Sequence, residues 1–516
     1  MKTPQSPKSA AEIIRFLAHA VNEHFTDDVL RKIHIKTQVE PEIVFGAQNR
    51  RIVILTGNPG DGKTHLIRCA QAEHDLPSNT TIVQDANQLE AEEVVKTIQT
   101  AMAQDKPLVM AINEGILLQA CQTVESRYPW AKDVVDALLH PYCYGESDGE
   151  PKVAPDTQRK PVIYDLTRRN NLTAVVVRDA LDRITNLALE ESTPMRDNAQ
   201  RLRSGTTRQR LCSLLDVVGQ TGLHATMRDL YGFLAHLLSG GEDEVTGSPP
   251  QPYYLNAFEG GEGPLFSAVR RLDPVRVPAP FLDDALFEDE DEPADWLAEA
   301  PEDYKCERDP AKFQRRKRRA FFEHRAGKSL LRDGHNDVYA KLSQLRDRSQ
   351  SPEYVAVSLL NRFSDSSSAT GSEQLVLWFS HRYHARPVRY LASSSNIPTS
   401  AFTVRIPRLQ SHLQKAFPNH YADHVVFVHR SMPTDAGLVM DARLIGQLLD
   451  GDRISGLGVR DPEAQARVAS FYDRLARNAP QGAASVVRIL RADTMQQVSI
   501  GINPEKRSYF IPGDLA

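Results

Sequence analysis

Several features that would point to a membrane or secreted protein are missing from this chain of 516 residues. No apolar run reaches the roughly 20 residues that a transmembrane helix needs, so we expect no membrane domain. The first 25 residues lack the apolar core of a secretion signal and instead suggest an amphipathic helix. The five cysteines form no C-x-x-C pair, so we expect reduced, half-buried thiols. Together these absences predict a cytoplasmic protein.

The chain also has no large excess of positive charge, and it lacks several common catalytic motifs. The net charge of −5 argues against a uniformly basic nucleic-acid binder, although it leaves room for a local basic patch. The chain contains no G-x-S-x-G and no paired-carboxylate nuclease signature. Two histidine pairs, His381 with His384 and His420 with His424, have spacings seen in metal sites. Because neither has a cysteine partner or a zinc-protease motif, we expect strand or surface histidines.

Apolar and amphipathic segments alternate through the first third of the chain. The strand-like segments "RIVILT", "TTIVQDA", "PLVMAIN" and "PVIYDL" are separated by helix-like segments such as "KTHLIRCAQAEH" and "EAEEVVKTIQTAMAQD". "TAVVV" follows as a further predicted strand. This alternation predicts an α/β fold with a parallel sheet flanked by helices. Residues 178–240 are predicted to be mostly helical.

The C-terminal third has a different pattern. The segments "YVAVSLL", "QLVLWFSHRYH", "FTVRIP", "HVVFVHR", "SVVRILRA" and "QQVSIGI" predict a mostly antiparallel sheet. Helices are expected at 437–450 and 462–478. The sequence therefore predicts a separate C-terminal α+β domain.

The stretch "GNPGDGKT" matches the phosphate-loop pattern G-x-x-x-x-G-K-T. Its glycines allow backbone N–H groups to point at phosphate oxygens, while Lys63 meets the β- and γ-phosphates and the Thr64 hydroxyl ligates Mg²⁺. The motif follows an apolar strand and precedes an amphipathic helix, as this mechanism requires. The predicted nucleotide-binding residues here are Gly57, Asn58, Pro59, Gly60, Asp61, Gly62, Lys63, Thr64 and His65.

The next predicted strand ends in Asn113 and Glu114, within "PLVMAINEG". Glu114 is a candidate general base, or a group that orients the attacking water. Asn113 occupies the metal-side position, where an aspartate is usual; its amide oxygen can accept a hydrogen bond from metal-bound water but brings no charge. We therefore expect Mg²⁺ binding to be weaker. The alternative is that Glu114 only caps the following helix.

Three arginines and two asparagines are further candidates. In "YDLTRRNNL", Asn170 or Asn171 is placed to sense the γ-phosphate, and Arg168 and Arg169 are placed to act within the site or across a subunit interface. A solvated basic turn is the alternative for either arginine. Arg228 begins a predicted lid helix from which it could reach the nucleotide, or it is a surface partner of Asp229.

These elements together resemble an AAA+-type P-loop ATPase over roughly residues 45–240. The segments "AINEGILL", "YDLTRRNNL", "TMRDLYGFLAHLL", "FSAVRRLDP" and "RRKRRAFFE" are similar in order to ATPases of bacterial anti-phage systems, in particular the ATPase subunit of DNA-phosphorothioation-dependent restriction systems. The resemblance implies ATP and Mg²⁺ as cofactors, a homo-oligomer, and partner subunits in a complex that acts on foreign DNA. The implied domains are an N-terminal helical region at 1–45, a P-loop ATPase core at 46–190, a helical lid at 191–245, a linker at 246–345 and the C-terminal domain at 346–516.

The linker contains an acidic segment at 282–303, followed by the densest basic cluster of the chain, "KFQRRKRR", from Lys312 to Arg319. We expect no single helix face to pair all these cations internally, so that some face water or DNA phosphates. An intramolecular clasp with the acidic segment is the alternative.

Two classes of function follow from these residues. The first is a hydrolysing ATPase that acts as a motor or switch in a defence complex, which Glu114 favours. The second is a nucleotide-dependent assembly scaffold with little hydrolysis, which Asn113 leaves open. A DNA-loading ATPase shares the same core, but it predicts a DNA-reading C-terminal domain, and we see no helix-turn-helix there.

Overall fold

The computed structural model describes most of the chain, and it divides into two compact units. The first unit comprises residues 1–143, 149–333 and 409–421, and the second comprises 144–148, 334–408 and 422–516. The described residues are 9–18, 25–73, 76–144, 161–190, 195–220, 222–240, 249–287, 310–331, 334–363, 373–379, 390–420, 422–450, 462–478, 486–491, 497–503 and 508–510. These units divide the chain at other points than the predicted domains.

Helices and strands are numbered separately in chain order. The helices are α1 Ala10–Ala18, α2 Asp27–Ile33, α3 Val39–Gln48, α4 Lys63–Glu73, α5 Ala91–Ala103, α6 Glu114–Gln122, α7 Pro129–Leu139, α8 Ala174–Glu190, α9 Arg196–Leu202, α10 Gly205–Gln220, α11 Met227–Ser239, α12 Tyr253–Asn256, α13 Pro264–Arg271, α14 Pro280–Phe287, α15 Pro310–Glu323, α16 Gly334–Arg346, α17 Pro352–Phe363, α18 Ser411–Ala416, α19 Ala442–Asp450 and α20 Pro462–Asn478. The strands are β1 Ile52–Thr56, β2 Thr81–Val83, β3 Leu108–Ala111, β4 Tyr142–Tyr144, β5 Val162–Asp165, β6 Gln374–Phe379, β7 Tyr390–Pro398, β8 Phe402–Arg405, β9 Pro407–Leu409, β10 His424–His429, β11 Leu438–Asp441, β12 Val486–Arg491, β13 Gln497–Asn503 and β14 Ser508–Phe510. None of the described helices is long and apolar enough to cross a membrane.

A four-stranded parallel sheet organises the first unit, in the order β2-β3-β1-β5. Strand β1 is fully buried because the sheet is covered on both faces. Ile52 and Ile54 point to one face, where they join the core formed by α5, α6 and α7. Val53 and Leu55 point to the other face and pack against α3 and α4. The predicted α/β fold with a parallel sheet flanked by helices is confirmed.

A larger helical core completes the first unit. Buried side chains of α1, α8, α10 and α11 meet there, and α12, α13 and α15 pack against the same cluster. Helix α11 has a well-defined start, since the Thr226 hydroxyl accepts from the Asp229 N–H and the Asp229 carboxylate accepts from the Thr226 N–H. Residues after 249, predicted to be linker, therefore contribute buried helices to this core.

Three secondary-structure predictions are wrong. The predicted strand "TAVVV" begins helix α8, whose first turn is supported by Thr173, because the Thr173 carbonyl accepts the Val177 N–H at 2.9 Å. "YVAVSLL" belongs to helix α17, which buries Ala356, Val357 and Leu360 at helical rather than alternating spacing. The helix predicted at 437–450 begins only at Ala442, since 438–441 is strand β11.

The second unit contains two antiparallel sheets, in the orders β11-β10-β8 and β14-β13-β12-β7-β6. Its core joins apolar residues of β8, β10 and β11 to helices α16, α17, α19 and α20. The predicted antiparallel C-terminal strands are thus present. His424 lies on β10, where its Nε2 is 3.1 Å from the Tyr144 hydroxyl, whereas His381 and His384 lie outside the described residues.

The basic cluster has a buried part and an exposed part. It forms most of helix α15, where Arg316, Lys317, Arg318 and Arg319 are between 2% and 7% exposed. These four cations are buried because α15 packs against α10, α12 and α14, which enclose it. Arg315 is exposed and Lys312 is half-buried.

Each buried cation of α15 has an internal partner. Arg318 binds Asp273 and Glu259, and Arg319 Nε donates to Glu323 at 2.7 Å. Lys317 Nζ lies 2.6 Å from Asp283, the first acidic residue of the acidic segment, and Arg316 donates to the Leu286 carbonyl. Residues 288–303 of that segment lie outside the described residues. The contacts therefore agree with the clasp alternative over the part of the segment that is described.

Candidate functional site

The loop between β1 and α4 has the backbone that a phosphate cradle needs. Gly57, Gly60 and Gly62 adopt φ values of 134°, 98° and 86°, in the region that side chains disfavour. A Cβ atom on Gly57 would lie 2.7 Å from the Asp61 carboxylate. A Cβ atom on Gly62 would meet nothing within 4 Å, so the start of α4 faces open space. Glycine is required here by conformation, and at position 57 also by close packing.

Lys63 and Thr64 begin helix α4 at the end of this loop. The Lys63 ammonium is buried and donates to the carbonyl oxygens of Gly57 at 2.9 Å and Asn58 at 2.8 Å. Burial lowers the pKa of Lys63, and the nearby carboxylates of Asp61, Asp85 and Asp165 oppose that shift. The Thr64 hydroxyl donates to the Gln84 carbonyl at 3.0 Å. Both predicted ligands therefore lie at the N-terminus of α4, whose dipole favours anions.

Asp61 stabilises the phosphate loop through hydrogen bonds of its buried side chain and its carbonyl. Its side chain is fully buried and accepts the Asn58 N–H at 2.6 Å, and its other oxygen lies 2.7 Å from His224 Nε2. The Asp61 carbonyl accepts from Arg169 Nη2 at 2.8 Å. The loop is thereby tied both to the end of β5 and to the segment that leads into α11.

A cavity of about 660 Å³ opens over this loop. The predicted site residues that line it are Pro59, Gly60, Asp61, Gly62, Lys63, Thr64, His65, Asn113, Arg169, Asn170, Asn171 and Arg228. All of them belong to the first unit, although they come from four separate parts of the chain. Gly57, Asn58, Glu114 and Arg168 are not among the lining residues.

Arg169 and Arg228 bring two further cations to the wall of this cavity. The Arg228 N–H donates to the Gly60 carbonyl at 3.3 Å, which places the start of α11 against the phosphate loop. The Nε atoms of Arg169 and Arg228 are buried and have no hydrogen-bond partner among the described residues. Buried donors without partners are costly, so these two groups are suited to an anion.

Asn113 and Glu114 lie where β3 ends and α6 begins. The Asn113 N–H donates to Asn87 Oδ1 at 2.7 Å, while Asn113 Oδ1 is buried without a partner among the described residues. Glu114 is the first residue of α6 and is half-buried. Burial raises the pKa of Glu114, the Asp165 carboxylate raises it further, and Arg168 lowers it. Asn113 therefore lines the cavity and carries an amide oxygen that has no partner among the described residues.

Arg168 contacts neighbouring residues of the protein and does not line the cavity. Its Nε donates to Asp165 at 3.0 Å, and its guanidinium lies over the Tyr142 ring at 5.5 Å. Asn170 Oδ1 accepts the Leu172 N–H, and Asn171 donates to the Ala225 carbonyl at 2.7 Å. Arg168 therefore holds the structure around the site, whereas Asn170 and Asn171 both line the cavity.

Sequence reasoning missed several polar residues of the site. Asp85 and Asn87 line the cavity, and Asp165 is buried beside Lys63 and Glu114. A signal for the two aspartates was available, since "TTIVQD" and "PVIYD" both end in an acidic residue at the carboxyl end of a parallel strand. His224 had no such signal, because it approaches Asp61 from 163 positions away.

Part of the cavity lining is apolar. It includes Ile33 at the end of α2, Ile35 on the connection after it, Val175 and Val176 at the start of α8, and Met227. Val175 is 60% exposed, unusually high for an aliphatic side chain beside a cavity. This side can receive a flat apolar group.

His65 takes part in a small cluster behind the phosphate loop. His34 Nδ1 lies 2.9 Å from His65 Nε2, which lies 3.5 Å from the Cys69 sulfur. Burial opposes the charge of His34, but hydrogen bonds to Cys69 and Glu40 outweigh it and raise the pKa to about 9. Burial and the charge of His34 lower the pKa of His65 to about 4.

Comparison with known proteins adds no relative, since no protein-family model, no curated protein and no solved structure matches this chain.

Proposed function

We propose that the first unit is a P-loop NTPase core that binds ATP with Mg²⁺ and hydrolyses it. The observation that carries this proposal is the convergence of Lys63, Arg169 and Arg228 on one cavity beside a glycine-rich loop. Two of these cations have unpartnered Nε donors among the described residues. A polyphosphate would satisfy these donors and neutralise the cationic wall.

The metal side of the proposal rests on oxygen atoms. Thr64 and Asn113 both line the cavity, and Asn113 Oδ1 is a buried acceptor without a partner among the described residues. These are the oxygen ligands that suit Mg²⁺ or its bound water, and Asp85 supplies a carboxylate at the same edge of the sheet. The residues fit a Mg²⁺-nucleotide, which supplies a scissile phosphoanhydride bond. Asn113 and Thr64 would hold the metal side of it.

The protein's part in hydrolysis would fall to Glu114, which directly follows the cavity-lining Asn113 but does not itself line the cavity. In its ionised form it would accept a proton from the attacking water, or orient that water by hydrogen bonding. Lys63, Arg169 and Arg228 would stabilise the negative charge that develops on the phosphoryl oxygens. Arg168 supports the arrangement indirectly, because it holds Asp165 next to Glu114.

The apolar part of the cavity lining supports binding of a purine base. Val175 and Met227 line the cavity from helices α8 and α11, Ile33 from the end of α2, and Ile35 from the connection before α3. A base bound there would cover the exposed Val175 side chain. Burial of part of one valine is worth about 1 kcal/mol, or roughly a fivefold change in affinity.

The second candidate function is a nucleotide-dependent assembly scaffold with little hydrolysis. Two observations favour it. Asn113 brings no negative charge to the metal side of the site. Burial raises the pKa of Glu114, so a smaller fraction of this carboxylate is ionised and able to act as a base at low pH. In this case ATP would order the loop and lid without being consumed.

The biological setting is proposed from the resemblance described above. We propose that the protein is an AAA+-like subunit of a bacterial anti-phage complex in the cytoplasm, that it forms homo-oligomers, and that it contacts partner subunits. DNA contact through residues 312–319 stays a prediction; within the described residues only Lys312 and Arg315 of its cations are not buried. A DNA-loading ATPase is the alternative within this class.

Equilibrium binding of a fluorescent ATP analogue with Mg²⁺ tests the nucleotide proposal. Lys63→Ala should abolish or greatly weaken binding, whereas Lys132→Ala, at an exposed position on α7, should bind like the wild type. Since Lys63 also bonds the loop carbonyls, Val175→Gln provides a variant at an exposed position that should weaken binding roughly fivefold without disturbing the fold. Unchanged affinity in both Lys63→Ala and Val175→Gln would refute the assignment.

A further inference from the structure

A cluster of side chains that can bind a metal, His34, His65 and Cys69, lies beside the phosphate loop. His34 and His65 also line the large cavity, but the proposed ATPase mechanism assigns no role to them. His34 lies on the connection between α2 and α3 and is 4% exposed, and Cys69 is 8% exposed. His65 and Cys69 are four positions apart on α4, so they lie on one face of that helix. The candidate ligand atoms of His34, His65 and Cys69 all lie within 4.8 Å of one another.

These separations are close to those of a tetrahedral zinc site. Zinc–nitrogen bonds of about 2.0–2.1 Å and zinc–sulfur bonds of about 2.3 Å place two nitrogens about 3.3 Å apart, and a nitrogen and a sulfur about 3.6 Å apart. His65 Nε2 lies 3.5 Å from Cys69 Sγ, and His34 Nδ1 lies 2.9 Å from His65 Nε2. The two histidine rings need to separate by about 0.4 Å for an ion to fit between them. The third pair, the His34 nitrogen and the Cys69 sulfur, lies within 4.8 Å.

The surroundings of His34 match those of a metal-bound histidine. Glu40 is 4% exposed, and its Oε1 lies 3.4 Å from His34 Nε2, the nitrogen that faces away from His65 and Cys69. A carboxylate in this position holds the ring so that the other nitrogen faces the metal. The Thr37 N–H and hydroxyl in turn donate to Glu40, which fixes its orientation.

The charge of the ligands and the space beside them also allow a metal ion to bind. Two neutral imidazoles, one thiolate and the neighbouring Glu40 carboxylate balance the two positive charges of Zn²⁺. His65 and Cys69 line a second cavity of about 280 Å³, which leaves space for a water in a fourth coordination position and a route of entry.

We infer that His34, His65 and Cys69 form a binding site for a zinc-class metal ion, with Glu40 as the carboxylate that orients His34. Two imidazoles and a thiolate suit a borderline-soft ion rather than Mg²⁺ or Ca²⁺. The ion would join the connection before α3, which lines the apolar part of the large cavity, to the helix that begins in the phosphate loop. The site does not depend on the nucleotide proposal, because its ligands are separate from Lys63, Arg169 and Arg228.

Metal binding by the full-length chain without a polyhistidine tag tests this inference. Metal-free wild-type protein should bind one Zn²⁺ per chain in competition with a chromophoric chelator. Co²⁺ in the same site should give a thiolate charge-transfer band in the near ultraviolet and the intense visible bands of tetrahedral coordination.

Variants show which residues bind the ion. Cys69→Ser should abolish the thiolate band, and Glu40→Gln should weaken Zn²⁺ binding by roughly 10–100-fold. Cys212→Ser is the matched control, since Cys212 is also a buried free thiol but lies on α10, and it should leave binding unchanged. Added Zn²⁺ should also protect Cys69 of the wild-type protein from alkylation, as mapped by mass spectrometry. This measurement tests Cys69 as a ligand even if the Cys69→Ser variant does not fold.

Two outcomes would overturn the inference. One is a wild-type chain that binds no stoichiometric Zn²⁺ and whose Cys69 is not protected by it. The other is equal Zn²⁺ affinity in wild type and in folded Cys69→Ser. Either result would mean that the three side chains form a hydrogen-bonded network only. A wild-type protein that binds Zn²⁺ but does not bind ATP would refute the nucleotide proposal and leave the zinc inference intact.

Discussion

Arg318 offers a test of whether the basic helix α15 is held by internal ion pairs or is available to DNA. Its side chain is 9% exposed, and its Nη2 donates to Asp273 Oδ2 at 2.7 Å, while Nε lies 3.2 Å from both oxygens of that carboxylate. The same guanidinium binds Glu259 and lies 5.9 Å from the Phe258 ring centre. Its pKa is raised because these carboxylate bonds outweigh the opposing effect of burial.

The expected loss of stability in Arg318→Gln depends on the two carboxylates, Asp273 and Glu259, that lose their partner. Removal of one partner of a buried pair typically costs roughly 3–5 kcal/mol, because the other charge stays buried and uncompensated. Here Glu259 is 51% exposed and can be hydrated, but Asp273 is 11% exposed and keeps the Val275 N–H as a remaining donor. We therefore expect the lower end of that range, about 3 kcal/mol.

Urea unfolding of the full chain, followed by circular dichroism, measures this cost. The matched control is Arg315→Gln, three positions earlier on the same helix but exposed, for which we expect a change within about 0.5 kcal/mol. Duplex DNA binding as a function of salt completes the experiment. If Arg315 contacts a phosphate, its loss should flatten the logarithmic salt slope by about 0.9.

The opposite pattern would refute this reasoning. If Arg318→Gln is as stable as Arg315→Gln and flattens the salt slope for DNA, the buried pairs do not hold α15 in solution. The cluster would then be available to DNA phosphates, which is one of the two alternatives that the sequence leaves open.

The remaining predictions concern the phosphate loop and the end of β3. Gly57→Ala should weaken ATP binding strongly, because its Cβ would lie 2.7 Å from the Asp61 carboxylate at a φ of 134°; unchanged affinity would show that the loop rearranges freely. Glu114→Gln should keep ATP affinity but slow phosphate release by orders of magnitude. In the wild type, turnover should fall as the pH drops through the raised pKa of Glu114, because the ionised base is lost there, and this acidic limb should disappear from the residual rate of the variant. Asn113→Asp should increase Mg²⁺ affinity in an isothermal titration with nucleotide; no gain would place the metal elsewhere.

The sequence by itself determined the local parts of this protein. The glycines at 57, 60 and 62 permit the positive φ angles that other residues avoid, and the continuous apolar run of β1 is typical of a strand that is buried on both faces. Strand β1, helix α4 and the parallel sheet were therefore predictable. Asp85 and Asp165 were equally predictable as site residues, because each follows an apolar strand of the parallel sheet.

The tertiary structure decided which distant groups meet. Arg228 and His224 reach the phosphate loop because the α11 segment folds back over it, and His34 reaches Cys69 because the connection before α3 lies against α4. The burial of Arg318 was unpredictable for the same reason, since its partner Asp273 lies 45 positions away. Local sequence sets backbone conformation and periodicity, whereas the pairing of charges depends on long-range packing, which no local pattern encodes.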